Sequence, residues 1–302
     1  MKNSQILVAR ALFISGVAMA LASGANAQFS FTPKAPQHLF RAEQMALGIH
    51  EQTYYGHLGE HVNGAYVSHN RYGASWANTV VEFGTSIYTK DKPVYATYYK
   101  NNTVCGNFVT RMLGVAYNWD WTQYSIPGET ATNSPNSRQY AKLIQNNIGF
   151  TQVTDIATVT KGDIMVIDYK TDPDSDVNSG HTMIVRSNNG FFTTQADAVE
   201  SKVYRVWSFG IVDSTSSPHD DTYDRADSRR ITLKSGATHS AKGAGVGTLF
   251  VITDTANAIQ GYAWKFTTAS FSKSYTNIMS NSGQTQTARP ISIGRLILPA
   301  QP

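Results

Sequence analysis

The chain holds a single cysteine, Cys105, among 302 residues, together with eight histidines. A thiol does hydrolytic chemistry as its thiolate, which forms at neutral pH only beside a cation or at the positive end of a helix. Val104, Phe108, Met112 and Val115 repeat at steps of four, four and three, which is one face of a helix. Asn101, Asn102 and Thr103 stand just before it as N-cap candidates. The spacing therefore predicts a helix whose first turn carries Cys105. Free N–H groups and the helix dipole there lower a thiol pKa from about 8.5 toward 3.5–7.5. Such a nucleophile needs an imidazole to move its proton and a third group to orient that imidazole.

His181 follows Gly180 and opens an apolar strand, and Asp213 closes a later one, Phe209-Gly-Ile-Val-Asp213. If the two strands pair antiparallel, the start of one lies beside the end of the other. The pattern permits a Cys105–His181–Asp213 line, with His219 and Asn188 as rivals for the third place. Each residue also has a plainer account: a small buried hydrophobe, a strand-end histidine bonded to a carbonyl, and a carboxylate capping the turn at Ser214.

The elements that must position these residues fall in two blocks. A helix is predicted over Gln37 to Thr53 and a loop over Tyr54 to Gly73. A second helix is predicted over Ala74 to Ile87, the third from Val104 or Cys105, and a fourth from Ser134-Pro-Asn-Ser137 to Gln145. After Phe150 the pattern turns to short β-branched and aromatic runs. These are Ile164–Tyr169, His181–Arg186, Phe191–Thr194, Val203–Val212, Leu249–Ile252, Tyr262–Phe266 and Ile291–Leu298. Helices first and strands afterwards predict an α+β fold with an antiparallel sheet.

Three fragments in order resemble the NlpC-type and CHAP-type papain-like amidohydrolases and peptidases. They are Cys105-Gly-Asn-Phe-Val109, Lys161-Gly-Asp-Ile-Met-Val166 and Ser179-Gly-His-Thr-Met-Ile-Val185. The resemblance covers about residues 95–215. It implies a papain-like frame, with N-terminal helices packed on an antiparallel β-sheet and the nucleophile at a helix start. It also implies cysteine peptidase or amidase activity, with catalytic Cys105 and His181, and Asp213 as the third residue. An oxyanion donor upstream of the cysteine is implied as well, for which Tyr98, Tyr99 and Asn102 are candidates. The Cys105-to-His181 spacing is longer than the family's, through the insertion Lys170 to Ser179.

Charged residues make up 15% of the chain and the net charge is +4, too few and too scattered for a dedicated nucleic-acid binder. Lys2 and Arg10 precede the apolar run Ala11 to Ala22, and Ala25-Asn-Ala27 fits a cleavage site, so residues 1–27 read as a signal peptide. The expected organisation is that leader, an N-terminal extension over 28–70, and a hydrolase domain over 71–302 ending in further β structure. Export to the periplasm or beyond, with no membrane partner after cleavage and no cofactor, completes the expectation. The substrate expected from export and the resemblance is an amide bond in peptidoglycan stem peptides or another peptide.

Three further signals carry other chemistry. His57-Leu-Gly-Glu-His61 matches an inverted zincin pattern, which would make a zinc metallopeptidase of His57, Glu60 and His61. Gly56, Gly59 and Gly64 oppose the helix it needs. Asp172, Asp174, Asp176 and Asn178 alternate as in a calcium loop, but lack the EF-hand glycine and final glutamate. Trp119 and Trp121 suit either a sugar-stacking wall or the core, and the core is the simpler account. A secreted, non-catalytic wall-binding domain is the remaining alternative to an enzyme.

Overall fold

The computed structural model describes residues 36–88, 93–126, 134–169, 179–197, 202–219, 227–264, 276–277 and 289–298. The leader over 1–27 and the acidic stretch 172–178 lie outside the described residues, as does the end of the strand expected to reach Phe266. Helix α1 (Gln37–Tyr54) is followed by seven short strands. These are β1 (Gly59–Val62), β2 (Ala65–Ser68), β3 (Asn70–Arg71), β4 (Val80–Glu82), β5 (Thr85–Tyr88), β6 (Pro93–Thr97) and β7 (Lys100–Asn102). Then come α2 (Cys105–Tyr117), α3 (Ser137–Gln145), β8 (Phe150–Gln152) and β9 (Ile164–Asp168). Two long strands, β10 (Gly180–Asp197) and β11 (Lys202–Thr215), form a hairpin. The chain continues with β12 (Arg230–Thr232), β13 (Thr238–Ser240), β14 (Gly243–Thr253), β15 (Ile259–Ala263), β16 (Thr276–Asn277) and β17 (Ile291–Leu296).

Eight of these strands make one antiparallel sheet in the order β16-β15-β14-β11-β10-β9-β17-β8. Successive side chains of a strand face opposite sides, and both sides of this sheet are apolar. Ile164, Val166, Ile184, Val212 and Val246 join α1, α2 and α3 in one cluster. Met165, Ile167, Met183, Val185, Ile211, Leu249 and Val251 build a second cluster on the other face. That double burial explains why β9 and β14 read as nearly unbroken apolar or glycine runs.

The expected α+β, papain-like frame is overturned. Among the described residues strands dominate, and the three helices do not pack on the sheet in the papain-like way. The physical reason lies before α2. The stretch 74–87, expected as a helix, is a short 3₁₀ turn at Trp76–Asn78 followed by β4 and β5. Its Thr-, Val- and Ile-rich run pairs across strands, where β-branched side chains fit better than on a helix. Likewise the expected loop at 54–73 contains β1, β2 and β3.

The helices at Gln37, Cys105 and Ser137 form where periodicity places them, but the N-cap of α2 is Val104, without a side-chain bond, and not Asn101, Asn102 or Thr103. Asn136 caps α3 through a full capping box with Gln139. From the segment expected as an N-terminal extension, α1 sends Leu39, Ala42, Met45 and Ile49 into the main core. Phe108 of α2 is fully buried in that core. Phe108→Ala should cost about 3–5 kcal/mol of unfolding free energy, read as a lower urea midpoint with an unchanged m-value.

Candidate active site

Cys105 is the first residue of α2 and is 6% exposed. The N-cap, Val104, offers no side-chain acceptor, so the first-turn N–H groups point at the sulfur's surroundings uncapped. Ser137 Oγ, at the start of α3, lies 3.6 Å from Cys105 Sγ, and the Gly180 carbonyl oxygen lies 3.8 Å away. Thr182 donates its hydroxyl to Ser137 Oγ at 2.9 Å, tying α3 to β10. Ser214 Oγ donates to the Thr103 carbonyl at 3.0 Å, which ties the end of β11 to the segment entering α2. Gly180 has φ +128°, and a Cβ on it would lie 2.0 Å from the Ile167 carbonyl oxygen. Only glycine lets β10 start this close to β9.

His181 and Asp213 do come together. By strand alternation His181 shares its sheet face with Met183 and Val185, and Asp213 with Ile211, on the side away from the helices. The two residues are 7% and 0% exposed, and His181 Nε2 lies 2.6 Å from Asp213 Oδ2. His219 Nε2 reaches the same oxygen at 2.6 Å. Arg229 Nη1 donates to the other oxygen, Oδ1, at 2.7 Å. Arg229 is itself gripped by Asp227 through Nε at 2.8 Å and Nη2 at 2.6 Å, and it donates to the Gly243 carbonyl at 3.0 Å. Room for this fork comes from β14, where Gly245 pairs with Asp213 and a Cβ on Gly245 would lie 2.7 Å from Arg229 Cγ.

The electrostatics follow from burial and pairing. Burial alone would push the Cys105 thiol up, but the hydrogen bond and charge of His181 outweigh it. With the Ser137 hydroxyl and the Thr182 backbone N–H, they bring the thiol below its usual value. Burial would lower His181, yet the hydrogen bonds to Asp213 and Cys105 raise it to about 10. Asp213 would be raised by burial, but the Arg229 charge and both histidine hydrogen bonds hold it well below the usual carboxylate range. Burial pushes His219 down despite Asp213. The pairing therefore favours a thiolate–imidazolium pair backed by an ionised carboxylate.

The other candidates sit elsewhere. Asn188 donates to the Val159 carbonyl and accepts from Gly190 N–H, as a turn residue does. Tyr98 stacks on His69, Tyr99 covers Gly48, and Asn102 lies on β7. Tyr72 is the hydroxyl at the site: burial, then the Cys105 charge, raises its pKa, and it hydrogen-bonds the thiol. Sequence reasoning missed it because it sits in a Gly-rich stretch with no periodicity. Trp119 and Trp121 are buried in the main core.

His57, Glu60 and His61 do not form a helical ligand set. His61 and Glu60 are neighbours on β1, Glu60 pairs with Lys100, and His57 packs on Tyr95 and Tyr98. His181, Asp213 and His219 hold ligand-type atoms within 4.8 Å of one another. Asp213 already accepts three hydrogen bonds, one from a guanidinium, and that fixed positive charge disfavours a divalent cation beside it. Gly245→Ala should push Arg229 off Asp213 and cost about 1–3 kcal/mol, as overpacking does. Thermal melting should show that loss.

No family model and no solved structure matches the chain. Among curated proteins, an uncharacterized protein of Acanthamoeba polyphaga mimivirus is 24% identical over 203 residues, spanning 66% of this chain and 80% of that protein. That likeness carries no activity with it, so the chemistry has to be argued from the site itself.

Proposed function

We propose that the chain is a cysteine hydrolase of amide bonds, with Cys105 as nucleophile, His181 as acid and base, and Asp213 orienting His181. One observation carries the reading: an activated, nearly buried thiol at a helix start beside an imidazole whose far nitrogen donates to a buried carboxylate at 2.6 Å. The thiolate attacks the carbonyl carbon, and the C–N bond breaks as the His181 imidazolium gives its proton to the leaving nitrogen. Water then attacks the thioester, His181 takes a proton from it, and the C–S bond breaks to release the acid and the thiolate. Tyr72 stays protonated in this setting, so its hydroxyl is suited to donate to the carbonyl oxygen as charge develops there.

A cavity of about 380 Å³ that Tyr72, Tyr169, His181, Ser216, His219 and Trp264 help to line is the proposed route for substrate to His181 and the thiol beside it. Peptidoglycan stem peptides are the proposed source of the amide, on the order of the three motif fragments and the leader-like N-terminus, with export to match. The frame gives that choice no support, because it is not the papain-like one.

Mass spectrometry of sacculi incubated with the protein tests the substrate. New amine and carboxyl ends should appear, and Cys105→Ser should abolish them while the fold persists. Binding without cutting would leave the wall-binding alternative. Iodoacetamide tests the nucleophile alone. Because the Cys105 pKa is lowered, alkylation should stay fast below pH 8, where an ordinary thiol with a pKa of about 8.5 is largely protonated. Asp213→Asn should lower turnover by about 10- to 100-fold, short of the roughly 10⁴-fold seen in a serine triad. The pair of Cys105 and His181 already stabilises its own charges. The same variant leaves Arg229 half-paired and should melt earlier.

A further inference from the structure

Asp213 serves two imidazoles through one oxygen, and a Cys–His–Asp line requires only one of them. His181 and His219 each place Nε2 2.6 Å from Asp213 Oδ2. His219 is held as firmly as any residue of the site. Its ring lies flat on Trp264, with centroids 3.8 Å apart and planes 2° apart. Its backbone N–H donates to Asp227 Oδ2 at 2.8 Å. A Cβ on Gly247 would lie 2.8 Å from His219 Cδ2, so β14 leaves room for this ring as it does for Arg229. Asp227 grips Arg229, and Arg229 grips Asp213, which closes a circuit of Asp213, His219, Asp227 and Arg229.

A carboxylate oxygen that accepts two N–H groups has less negative charge to offer each. The weaker its hold on the His181 proton, the more readily that proton passes to a leaving nitrogen. We propose that His219 is a positioning residue which, as a neutral imidazole donating through Nε2, draws on the Asp213 oxygen and keeps His181 acidic enough to protonate the leaving amine. The proposal rests on the reading of Cys105 and His181 as nucleophile and acid. Its charge environment is closed. His181 meets Cys105 from α2, Asp213 from β11 and the edge of Trp264. His219 meets Asp213, Arg229, Asp227 and His181, and burial with the Arg229 and His181 charges keeps it neutral. Tyr72, facing Cys105 and Asp213, stays protonated.

The test is the pH titration of the His181 imidazole, followed by ¹⁵N shifts in the full chain, alongside iodoacetamide alkylation of Cys105 and release of amine ends from sacculi. His219→Phe keeps a ring against Trp264 and removes the donor. Asp213 then holds the His181 proton more tightly, and the imidazolium should persist to higher pH, while the acid limb of Cys105 alkylation, which is protonation of the thiolate itself, stays in place. One hydrogen bond to a charged group is worth about one pKa unit. The His181 half-point should move up by about that much, so its proton is held about tenfold more tightly. Amine release should fall in the same variant. A raised His181 half-point with unchanged alkylation and falling turnover separates tuning from a loosened fold, which slows alkylation as well. His219→Gln, whose amide can donate to the same oxygen, should restore the wild-type half-point.

A His181 half-point that stays or moves down in His219→Phe overturns the proposal. A wild-type alkylation half-point at the ordinary thiol value overturns the nucleophile reading itself, a different result from either. If His219→Phe does not fold, imidazole ¹⁵N shifts of the wild-type protein decide. A neutral His219 protonated at Nε2 at pH 7 supports the proposal, and a doubly protonated His219 ends it.

Discussion

A carboxylate with no exposure to water is the constraint around which the rest of this molecule is arranged. An isolated buried charge costs several kcal/mol even after relaxation, and Asp213 is fully buried. Its neutralisation recruits Arg229 and two histidines, and Arg229 is so deeply enclosed that it demands Asp227 as a second anion. Five ionisable groups on three stretches of chain thus become a single unit. The sheet follows from the same need. β14 carries glycine at 243, 245 and 247 because side chains there would occupy the space of that unit and of Asn70.

The helix layer answers to a different force. Cys105 is set at the start of α2 by the apolar stripe behind it, which anchors Phe108, Val109, Met112 and Leu113 in the core. Hydrogen bonds from Ser214 to Thr103 and from Thr182 to Ser137 then lock this layer to the strands that carry Asp213 and His181. Hydrophobic burial supplies the rigidity, and a few polar ties fix the relative position of the two layers.

How far this was legible from residues depends on which force acted. Local signals read true: the stripe from Val104 placed α2, Asn136 placed α3, and the apolar runs at 164–168 and 180–186 placed the strands carrying the site. The nearness of His181 and Asp213 followed from antiparallel pairing alone. Long-range facts did not read. Nothing local distinguishes Arg229 from any surface arginine, and the rivalry of Asp213 and His219 for one role hid that they share an oxygen. The short strands before α2 read as helix and loop because pairings of two to four residues leave no period to detect, and with them goes the α+β, papain-like expectation.

The sulfur and the imidazole belong to different layers, one borne by α2 and the other by the sheet face turned away from the helices. Their distance is therefore set by how the two layers seat on one another, and charge transfer between them falls off over fractions of an ångström. The thiol acts as a strain gauge for the whole interior. A slackened core reports itself as a duller cysteine while the backbone is still folded, so the chemistry fades before the architecture does.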